Sequence, residues 1–330
     1  MGFQKTIKPL IVSSLFYSGT LDILRYVTRK NRVNIIMYHR FSNKPKPFMI
    51  EQKDFDNQIR FYIKRYNFIT LQQYTDYING KRNDLPNNPL IITMDDGYEH
   101  NFLYGYPVLK KYNIPATIFL ATDFIEHKIW LWSDKMQYIL AKSKRTEFEF
   151  PLGDKMKRFD VHDFENWYQT QLTMFAYCAT IEDDKKDEYL DELAKLLSVE
   201  VPHEAAGRFR PMNWDQILEM SKNGIDYGSH TCSHPILTRI SDDRLDHEIR
   251  ESKKVLENKL QTSINQFCYP NGQEHDFNES IIQKLRKAGY LSSVTTIQGY
   301  NHIHADPFCI KRKQIHSIDR ISILKQLVLD

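Results

Sequence analysis

Several features are scarce in this chain, and each scarcity narrows its function. The four cysteines among 330 residues are widely spaced and form no C-x-x-C pair, so no disulfide framework is predicted and a reducing compartment is favoured. The net charge is only +3, which argues against a dedicated nucleic-acid-binding protein, because such a protein concentrates Lys and Arg on one face. No run reaches the roughly 18 consecutive apolar residues that a membrane-spanning helix needs.

The N-terminal segment is largely apolar between residues 7 and 17 but lacks the longer apolar stretch and small-x-small cleavage site of a signal peptide. Further apolar residues continue the pattern up to Val27, so residues 1–32 are predicted to form a helical extension. We expect this amphipathic helix to pack on the main domain. The alternative is peripheral contact with a membrane surface. The expected location is the cytoplasm, with membrane association through this helix as the alternative.

The rest of the chain alternates short apolar runs with amphipathic helical patterns. Its hydrophobic content of 41% and charged content of 26% are ordinary for a globular protein. The alternation predicts a parallel sheet of the α/β class, closed into a (β/α) barrel of seven or eight units over residues 33–330. Between about 130 and 210, charged helical stretches interrupt this order and predict a helical insertion. The predicted strands include residues 33–38, 90–94, 115–120, 225–228, 266–269 and 291–296.

Two motifs at the ends of predicted strands carry the residues suited to catalysis, TMDDG at 93–97 and SHTCSHP at 229–235. The carboxyl ends of barrel strands meet at one face, so we expect the motifs to converge. Adjacent side chains in extended backbone point to opposite sides, so either Asp95 or Asp96 can bind a cation while the other remains a base. His230 and His234 add two nitrogen ligands. The combination is typical of a metal-activated water with a base beside it.

Each motif also has a simpler explanation. Asp-Asp-Gly alone is typical of a turn at a strand end, and two histidines four residues apart are compatible with an ordinary surface loop. Cys232, between the histidines, is an alternative ligand, but its position does not require it to face the same way as they do. Carboxylate and neutral imidazole favour zinc, with cobalt, nickel or manganese as alternatives.

Taken together, the motifs resemble those of the polysaccharide deacetylases. ITMDDG at 92–97 and HTCSHP at 230–235 are similar to the first two motifs of that family's NodB-homology domain, the carbohydrate esterase family 4 type. YPNG at 269–272 resembles the third motif as it occurs in an exopolysaccharide-associated bacterial branch of the family. YHR at 38–40 resembles the opening strand of the same branch. The resemblance covers residue 33 to near the C-terminus. It implies a distorted (β/α) barrel and metal-dependent removal of N-acetyl groups from an N-acetylhexosamine-containing polysaccharide or glycan precursor.

The resemblance also assigns roles to individual residues. Asp95 would be the catalytic base, and Tyr269 and Asn271 would contact the substrate or the oxyanion, with a backbone N–H of their turn stabilising the oxyanion. The partner would be a carbohydrate, and the cofactor a divalent metal ion. The ligands of that ion would be Asp96, His230 and His234.

Two positions depart from the family pattern. The third motif usually begins with an arginine that orients the base, but Cys268 stands there, and Arg312 is the candidate to replace it. The last motif usually provides a histidine as general acid, and no clear match is present. Among the late histidines His302, His304 and His316, His316 is the nearest candidate, although a surface position is the simpler explanation for each.

Three functions remain open. The first is a metal-dependent deacetylase of an N-acetylhexosamine polymer or glycan precursor. The second is a hydrolase of a small non-peptide amide on the same fold. The third is a catalytically decayed sugar-binding protein, which the missing arginine and acid suggest. The intact set of metal ligands favours an enzyme, because a decayed site is expected to lose ligands first.

Overall fold

A computed structural model describes residues 32–314. Most of the predicted N-terminal extension and His316 lie outside these residues. The strands are β1 (Arg32–Tyr38), β2 (Phe41–Ser42), β3 (Ile50–Glu51), β4 (Asn67–Phe68), β5 (Pro89–Met94), β6 (Ala116–Leu120), β7 (Glu147–Leu152), β8 (Lys155–Asp160), β9 (Ile225–Ser229), β10 (Gln266–Cys268), β11 (Ser292–Gln298), β12 (Asn301–His302) and β13 (Ile310–Gln314). The α-helices are Gln52–Ile63, Leu71–Ile78, Tyr106–Tyr112, Thr122–Ile125, Trp132–Lys142, Phe164–Cys178, Asp184–Leu196, Trp214–Ser221, Asp242–Leu260 and Glu279–Lys287. A π-helical turn spans Asn101–Gly105, and 3-10 turns span Gly207–Phe209 and Leu237–Arg239.

Seven parallel strands close into a barrel. They pair in the order β5, β6, β9, β10, β11 and β13, and β1 closes the ring by pairing with both β13 and β5. Between β1 and β5, Asn34 lies opposite Leu90 and Tyr38 opposite Met94. The prediction of an α/β barrel is confirmed, with seven strands. Since all seven run the same way, their carboxyl ends form one face.

Alternation along the strands divides the barrel interior from the layer beneath the helices. Val33, Ile35 and Ile91 belong to an inner cluster with Phe119, Val294 and Ile310. Ile36 and Ile92 belong to an outer cluster, together with apolar residues of the surrounding helices. Strands buried on both sides in this way read as near-continuous apolar runs, which explains why they were recognisable in the sequence. Among the described residues, no helix is long and apolar enough to cross a membrane.

The insertion between β6 and β9 has its own core. Three helices, Trp132–Lys142, Phe164–Cys178 and Asp184–Leu196, pack around a cluster that includes Met136, Met174 and Leu190. The sequence predicted helices alone here, but the structure adds the antiparallel hairpin β7–β8, with Glu147 opposite Asp160. Phe148 and Phe150 face the core between exposed glutamates, and the exposed, largely basic residues 155–158 obscured the alternation of the second strand.

Candidate metal centre and active site

Three predicted ligands converge at the carboxyl face of the barrel. Asp96 follows β5, and His230 and His234 follow β9. Nε2 of each imidazole lies 3.5 Å from Oδ1 of Asp96, and the two Nε2 atoms lie 3.1 Å apart. One carboxylate oxygen and two imidazole nitrogens within 4.8 Å of one another are the donor set of a divalent metal site.

The backbone at these ligands adopts conformations that most residues avoid. The φ angles of Asp96, Thr231 and His234 are 74°, 69° and 59°, in the left-handed region. Thr231 Oγ1 accepts a hydrogen bond from the His234 main-chain N–H at 2.9 Å, which holds the turn that presents the second imidazole. Gly97 has a φ of 87°, and a Cβ there would lie 2.7 Å from Leu120 Cδ2, so the doublet must be followed by glycine. Such backbone strain is typical of functional sites.

The histidine hydrogen bonds leave the correct nitrogens free for a cation. His230 Nδ1 lies 2.8 Å from the Cys268 carbonyl oxygen, so it carries the proton and Nε2 keeps its lone pair. His234 Nδ1 is buried and has no partner among the described residues. Burial lowers the pKa of His234 to about 4, which keeps this imidazole neutral as a ligand must be. Burial also lowers the pKa of His230, but Cys268 and the hydrogen bond to Asp96 outweigh burial and raise it, so a metal that binds His230 must displace a proton. The residues therefore fit a divalent metal ion.

Asp95 has different surroundings. Its carboxylate is buried and accepts two hydrogen bonds from the Arg312 guanidinium, at 2.7 and 2.8 Å. Arg312 is fully buried in β13 and also donates to the Thr295 carbonyl oxygen at 2.8 Å. Burial raises the pKa of Asp95, but the Arg312 guanidinium outweighs burial and holds it below its usual value. The structure thus brings Arg312 to the position where the motif arginine was expected to act.

A second group of donor atoms, from Asp95, His230 and Cys268, also lies close together. Both oxygens of Asp95 already accept hydrogen bonds from Arg312, whose Nη2 lies 3.1 Å from Cys268 Sγ. A metal cation there would face a fixed guanidinium, and His230 presents its Nδ1 proton to the Cys268 carbonyl oxygen. Burial raises the pKa of the Cys268 thiol, which opposes the thiolate that a metal binds. Asp96, His230 and His234 are therefore the better metal site.

His39 is a candidate functional residue to which the sequence analysis gave no role. Its Nε2 lies 3.6 Å from Asp95 Oδ2, and its side chain is 32% exposed, so it can meet both the base and a ligand. The acid was expected among the late histidines, but the two that the structure describes, His302 and His304, are exposed. Alternation offered a signal, because His39 continues the inward positions Val33 and Ile35 of β1 just past the strand end.

The turn after β10 differs from expectation at Tyr269. That side chain is fully buried, stacks on Phe277 at 4.3 Å and donates to the Phe308 carbonyl oxygen at 3.0 Å, so it is unavailable to a substrate. Asn271 is partly exposed, and its side chain donates to Asp276 Oδ2 at 2.6 Å. Its φ of 62° turns the chain at this point. The turn can therefore offer main-chain groups and Asn271, but not the Tyr269 hydroxyl.

The loop that carries His230 and His234, residues 230–235, is held by Glu248 of helix Asp242–Leu260. One oxygen of this buried carboxylate accepts the main-chain N–H groups of Cys232 and Ser233 at 2.8 and 2.9 Å, and the other accepts the Ser233 hydroxyl. Arg244 Nε lies 3.6 Å from Glu248, and Arg244 also pairs with Asp183 at 2.7 Å. The loop is thus supported by a carboxylate that is linked to the start of the last insertion helix.

A second link joins the insertion to the site. Arg40, just after His39, pairs with Asp134 of helix Trp132–Lys142 and donates to the Tyr98 hydroxyl at 2.8 Å. Tyr98 in turn donates to Asp134 at 2.7 Å. This buried charge pair is satisfied on both sides, which is the condition under which such a pair is tolerated.

Comparison with known proteins agrees with this geometry. The polysaccharide deacetylase family model matches residues 82–292. The chain is 27% identical over 210 residues to a poly-beta-1,6-N-acetyl-D-glucosamine N-deacetylase of Staphylococcus aureus (strain MSSA476). The aligned region covers 61% of this chain and 68% of that protein.

Solved structures share the fold. The Streptococcus pyogenes deacetylase PplD, solved in complex with acetate, is 18% identical with a TM-score of 0.60 over 91% of this chain and 99% of that one. IcaB from Ammonifex degensii is 18% identical with a TM-score of 0.57 over 91% and 96%. Since the family model matches well over half of the chain and includes the Asp95–Asp96 doublet and both histidines, this chain belongs to the polysaccharide deacetylase family, whose members are hydrolases of N-acetyl amide bonds.

Proposed function

We propose that this protein removes N-acetyl groups from a poly-N-acetylglucosamine-type polysaccharide, using a divalent metal ion held by Asp96, His230 and His234. The observation that carries the proposal is the three-donor cluster directly beside Asp95, a base fixed by Arg312. The similarity to a poly-beta-1,6-N-acetyl-D-glucosamine N-deacetylase supports the substrate class.

The donor set favours zinc, with cobalt, nickel or manganese as alternatives. When bound, such an ion supplies Lewis-acid polarisation of the acetamide carbonyl and lowers the pKa of water. The chain's own contribution is to keep His230 in the tautomer that leaves Nε2 free, through the Cys268 carbonyl oxygen.

Asp95 is the proposed base. Its lowered pKa keeps the carboxylate ionised at neutral pH, ready to take a proton from the attacking water. The bidentate contact with Arg312 fixes the orientation of the carboxylate, since a planar guanidinium sets the plane of its partner.

His39 is the proposed general acid. It stands beside Asp95 and is partly exposed, so it can give a proton to the leaving amine nitrogen. The Asn271 main-chain N–H, at the turn after β10, is the proposed donor to the oxyanion. The Tyr269 hydroxyl has no part, because it is committed to the core.

The presence of Arg312 also bears on the alternative of a decayed sugar-binding protein. That alternative was motivated by the missing arginine, and the guanidinium is supplied from β13 instead. A site that kept its metal donors, its base and the partner of that base supports an enzyme.

The test is acetate release by EDTA-treated protein from β-1,6-linked N-acetylglucosamine oligomers, with zinc, cobalt, nickel or manganese added back. We expect no release without metal and restored release with at least one ion. Failure with every oligomer and every ion would overturn the proposal. Hydrolysis of a small amide alone would identify the second function considered above.

A further inference from the structure

The segment that carries His39 leaves the barrel at the end of β1. Residues 39 and 40 lie between β1 and β2. Main-chain hydrogen bonds hold the segment on both sides of His39. The Asp95 N–H donates to the Tyr38 carbonyl oxygen at 3.0 Å, and the Ile50 N–H donates to the Arg40 carbonyl oxygen at 2.9 Å. Because His39 and Arg40 are consecutive, whatever fixes Arg40 also limits where the imidazole of His39 can lie.

Arg40 is fixed by the insertion. Its guanidinium pairs with one carboxylate oxygen of Asp134, in helix Trp132–Lys142, and donates to the Tyr98 hydroxyl at 2.8 Å. That hydroxyl donates to the other oxygen of Asp134 at 2.7 Å. The three side chains thus form a closed ring of contacts. Tyr98 and Asp134 are each only 1% exposed, so water does not compete for these contacts.

This ring joins the insertion to two neighbouring loops of the barrel. Arg40 follows β1, and Tyr98 follows β5 two positions after Asp96, and these two strands pair with each other. On the same helix as Asp134, Trp132 and Met136 pack in the core of the insertion, whereas Asp134 contacts the barrel. Asp134 therefore ties the loop with the proposed acid to the loop with the proposed base.

Stability alone is a weak explanation for this buried pair. The desolvation of two charges offsets most of their attraction, and replacing such a pair with apolar side chains is often neutral. Burial raises the pKa of Asp134, and the Arg40 guanidinium does not fully offset the rise. What the pair does supply is a fixed geometry, because a planar guanidinium and a carboxylate satisfy each other in few arrangements. Geometry matters beside His39, whose Nε2 lies 3.6 Å from Asp95.

We propose that Asp134 is a positioning residue for His39, which it keeps beside Asp95 by holding Arg40. The proposal rests on the proposed function for the role of His39 as general acid, but not for the link between Asp134 and the segment that carries His39. It makes the insertion a part of the reaction machinery, since it supplies the carboxylate that orients the proton donor without touching the substrate.

The kinetic test is Asp134→Asn, which keeps the shape of the side chain and removes its charge. With the metal that restores acetate release added to saturation, kcat on β-1,6-linked N-acetylglucosamine oligomers should fall about 10- to 100-fold with KM nearly unchanged. Hydrolysis of p-nitrophenyl acetate should stay near the wild-type rate, because its phenolate leaves without being protonated. An equal loss on both substrates, or no loss on either, would overturn the proposal.

A double-mutant cycle tests whether Asp134 acts through His39. In a His39→Gln background, Asp134→Asn should cause no further loss on the oligomers, since the group that it positions has gone. Losses that multiply in the double variant would show that Asp134 acts elsewhere, and would overturn the proposal.

Tyr98→Phe is a milder variant, in case the unpaired guanidinium in Asp134→Asn prevents folding. It removes one hydroxyl from the ring, keeps the charge pair, and should lower kcat on the oligomers about three- to tenfold with the ester rate unchanged. Tyr189→Phe is the matched control. Its hydroxyl also belongs to a buried side chain, but it donates to the Pro151 carbonyl oxygen inside the insertion at 2.9 Å. Equal effects of the two variants would overturn the proposal.

Hydrogen exchange separates the link from the reaction. In EDTA-treated protein, Asp134→Asn should speed amide exchange in residues 39–50 and leave residues 229–236 at the wild-type rate. Unchanged exchange in residues 39–50 would overturn the positioning role and leave the deacetylase intact. If the wild type released no acetate with any ion while exchange in residues 39–50 still rose in the variant, the proposed function would fail and the link between Asp134 and the His39 segment would stand.

Discussion

Asp95 and Asp96 are neighbours in the chain, yet their carboxylates contact different kinds of group, a guanidinium for Asp95 and two imidazoles for Asp96. Asp95 faces a fixed guanidinium inside the barrel, at 2.7 and 2.8 Å. Asp96 faces two imidazole nitrogens at 3.5 Å each. The guanidinium neutralises Asp95 without a metal, whereas Asp96 and its imidazoles form a donor set that a metal completes. The end of one strand thus places the proposed base and a proposed metal ligand side by side, since consecutive side chains point to opposite sides.

Replacing each carboxylate in turn by an amide is expected to give the largest difference between two variants in metal content and activity. Asp96→Asn should lose bound metal and acetate release together, because a neutral amide is a much poorer ligand. Asp95→Asn should keep its metal and lose about 10²- to 10⁴-fold in kcat, the usual contribution of a general base. Elemental analysis of the purified variants and acetate assays measure both quantities.

Loss of metal from Asp95→Asn would contradict the assignment of Asp95 as the base. If Asp95→Asn lost its metal as fully as Asp96→Asn, then Asp95 would be a metal ligand together with Asp96. If Asp95→Asn lost its metal and Asp96→Asn kept it, the group formed by Asp95, His230 and Cys268 would be the metal site. Thermal melting of both variants provides the control for folding. Unchanged cooperativity would show that the loss arises in the site.

His39→Gln tests the other side of Asp95. Removing the acid should lower kcat by about 10²-fold, at the lower end of the range for acid–base catalysis. Hydrolysis of p-nitrophenyl acetate is the sharper measurement, because its phenolate leaves without being protonated and needs no general acid. The variant should hydrolyse this ester at nearly the wild-type rate. An equal loss on the ester and on the acetamide would exclude His39 as the acid.

The barrel and the four motif residues could be predicted because their signals are local. Apolar runs marked the strands, and the strand ends placed Asp95, Asp96, His230 and His234 on one face. The roles of Arg312 and His39 could not be predicted from local signals. Both lie outside residues 82–292, which the family model matches, and Arg312 reaches Asp95 across 217 positions. That contact exists only because β1 pairs with both β13 and β5.

Side-chain direction explains the remaining errors. Tyr269 points to the same side of the chain as Phe267, which packs in the outer cluster. Its ring therefore lies outside the site, which the motif resemblance could not indicate. Arg312 and His39 have the parity of Ile310 and Ile35 in the inner cluster. The alternation of side chains therefore indicates that Arg312 and His39 both point into the barrel. A strand as short as β13, however, has too few residues to show from the sequence which of its two faces is the inward one.

The support behind the two carboxylates also differs, and Glu248→Gln tests this with the smallest expected effect. The amide oxygen can still accept from the Cys232 and Ser233 N–H groups, but the negative charge is lost and an N–H₂ group replaces the oxygen that faces the Ser233 hydroxyl and Arg244, so the support of the loop is weakened. Metal affinity should fall about 10- to 100-fold, as is typical when an outer partner of a metal site is lost. Since Arg312 does not depend on Glu248, kcat at saturating metal should stay close to that of the wild type.

Glu251→Gln is the matched control, because Glu251 lies on the same helix and pairs with Lys254 at 3.3 Å near the surface. It should leave metal affinity unchanged. A fall in kcat for Glu248→Gln that added metal does not restore would mean that the loop also positions the base. The metal ligands and the base would then share one support, and the independence of Asp95 from Asp96 would be lost. Restoration by added metal would instead show that the two adjacent carboxylates are held by separate parts of the barrel, Asp96 and its loop by the helix that carries Glu248 and Asp95 by strand β13.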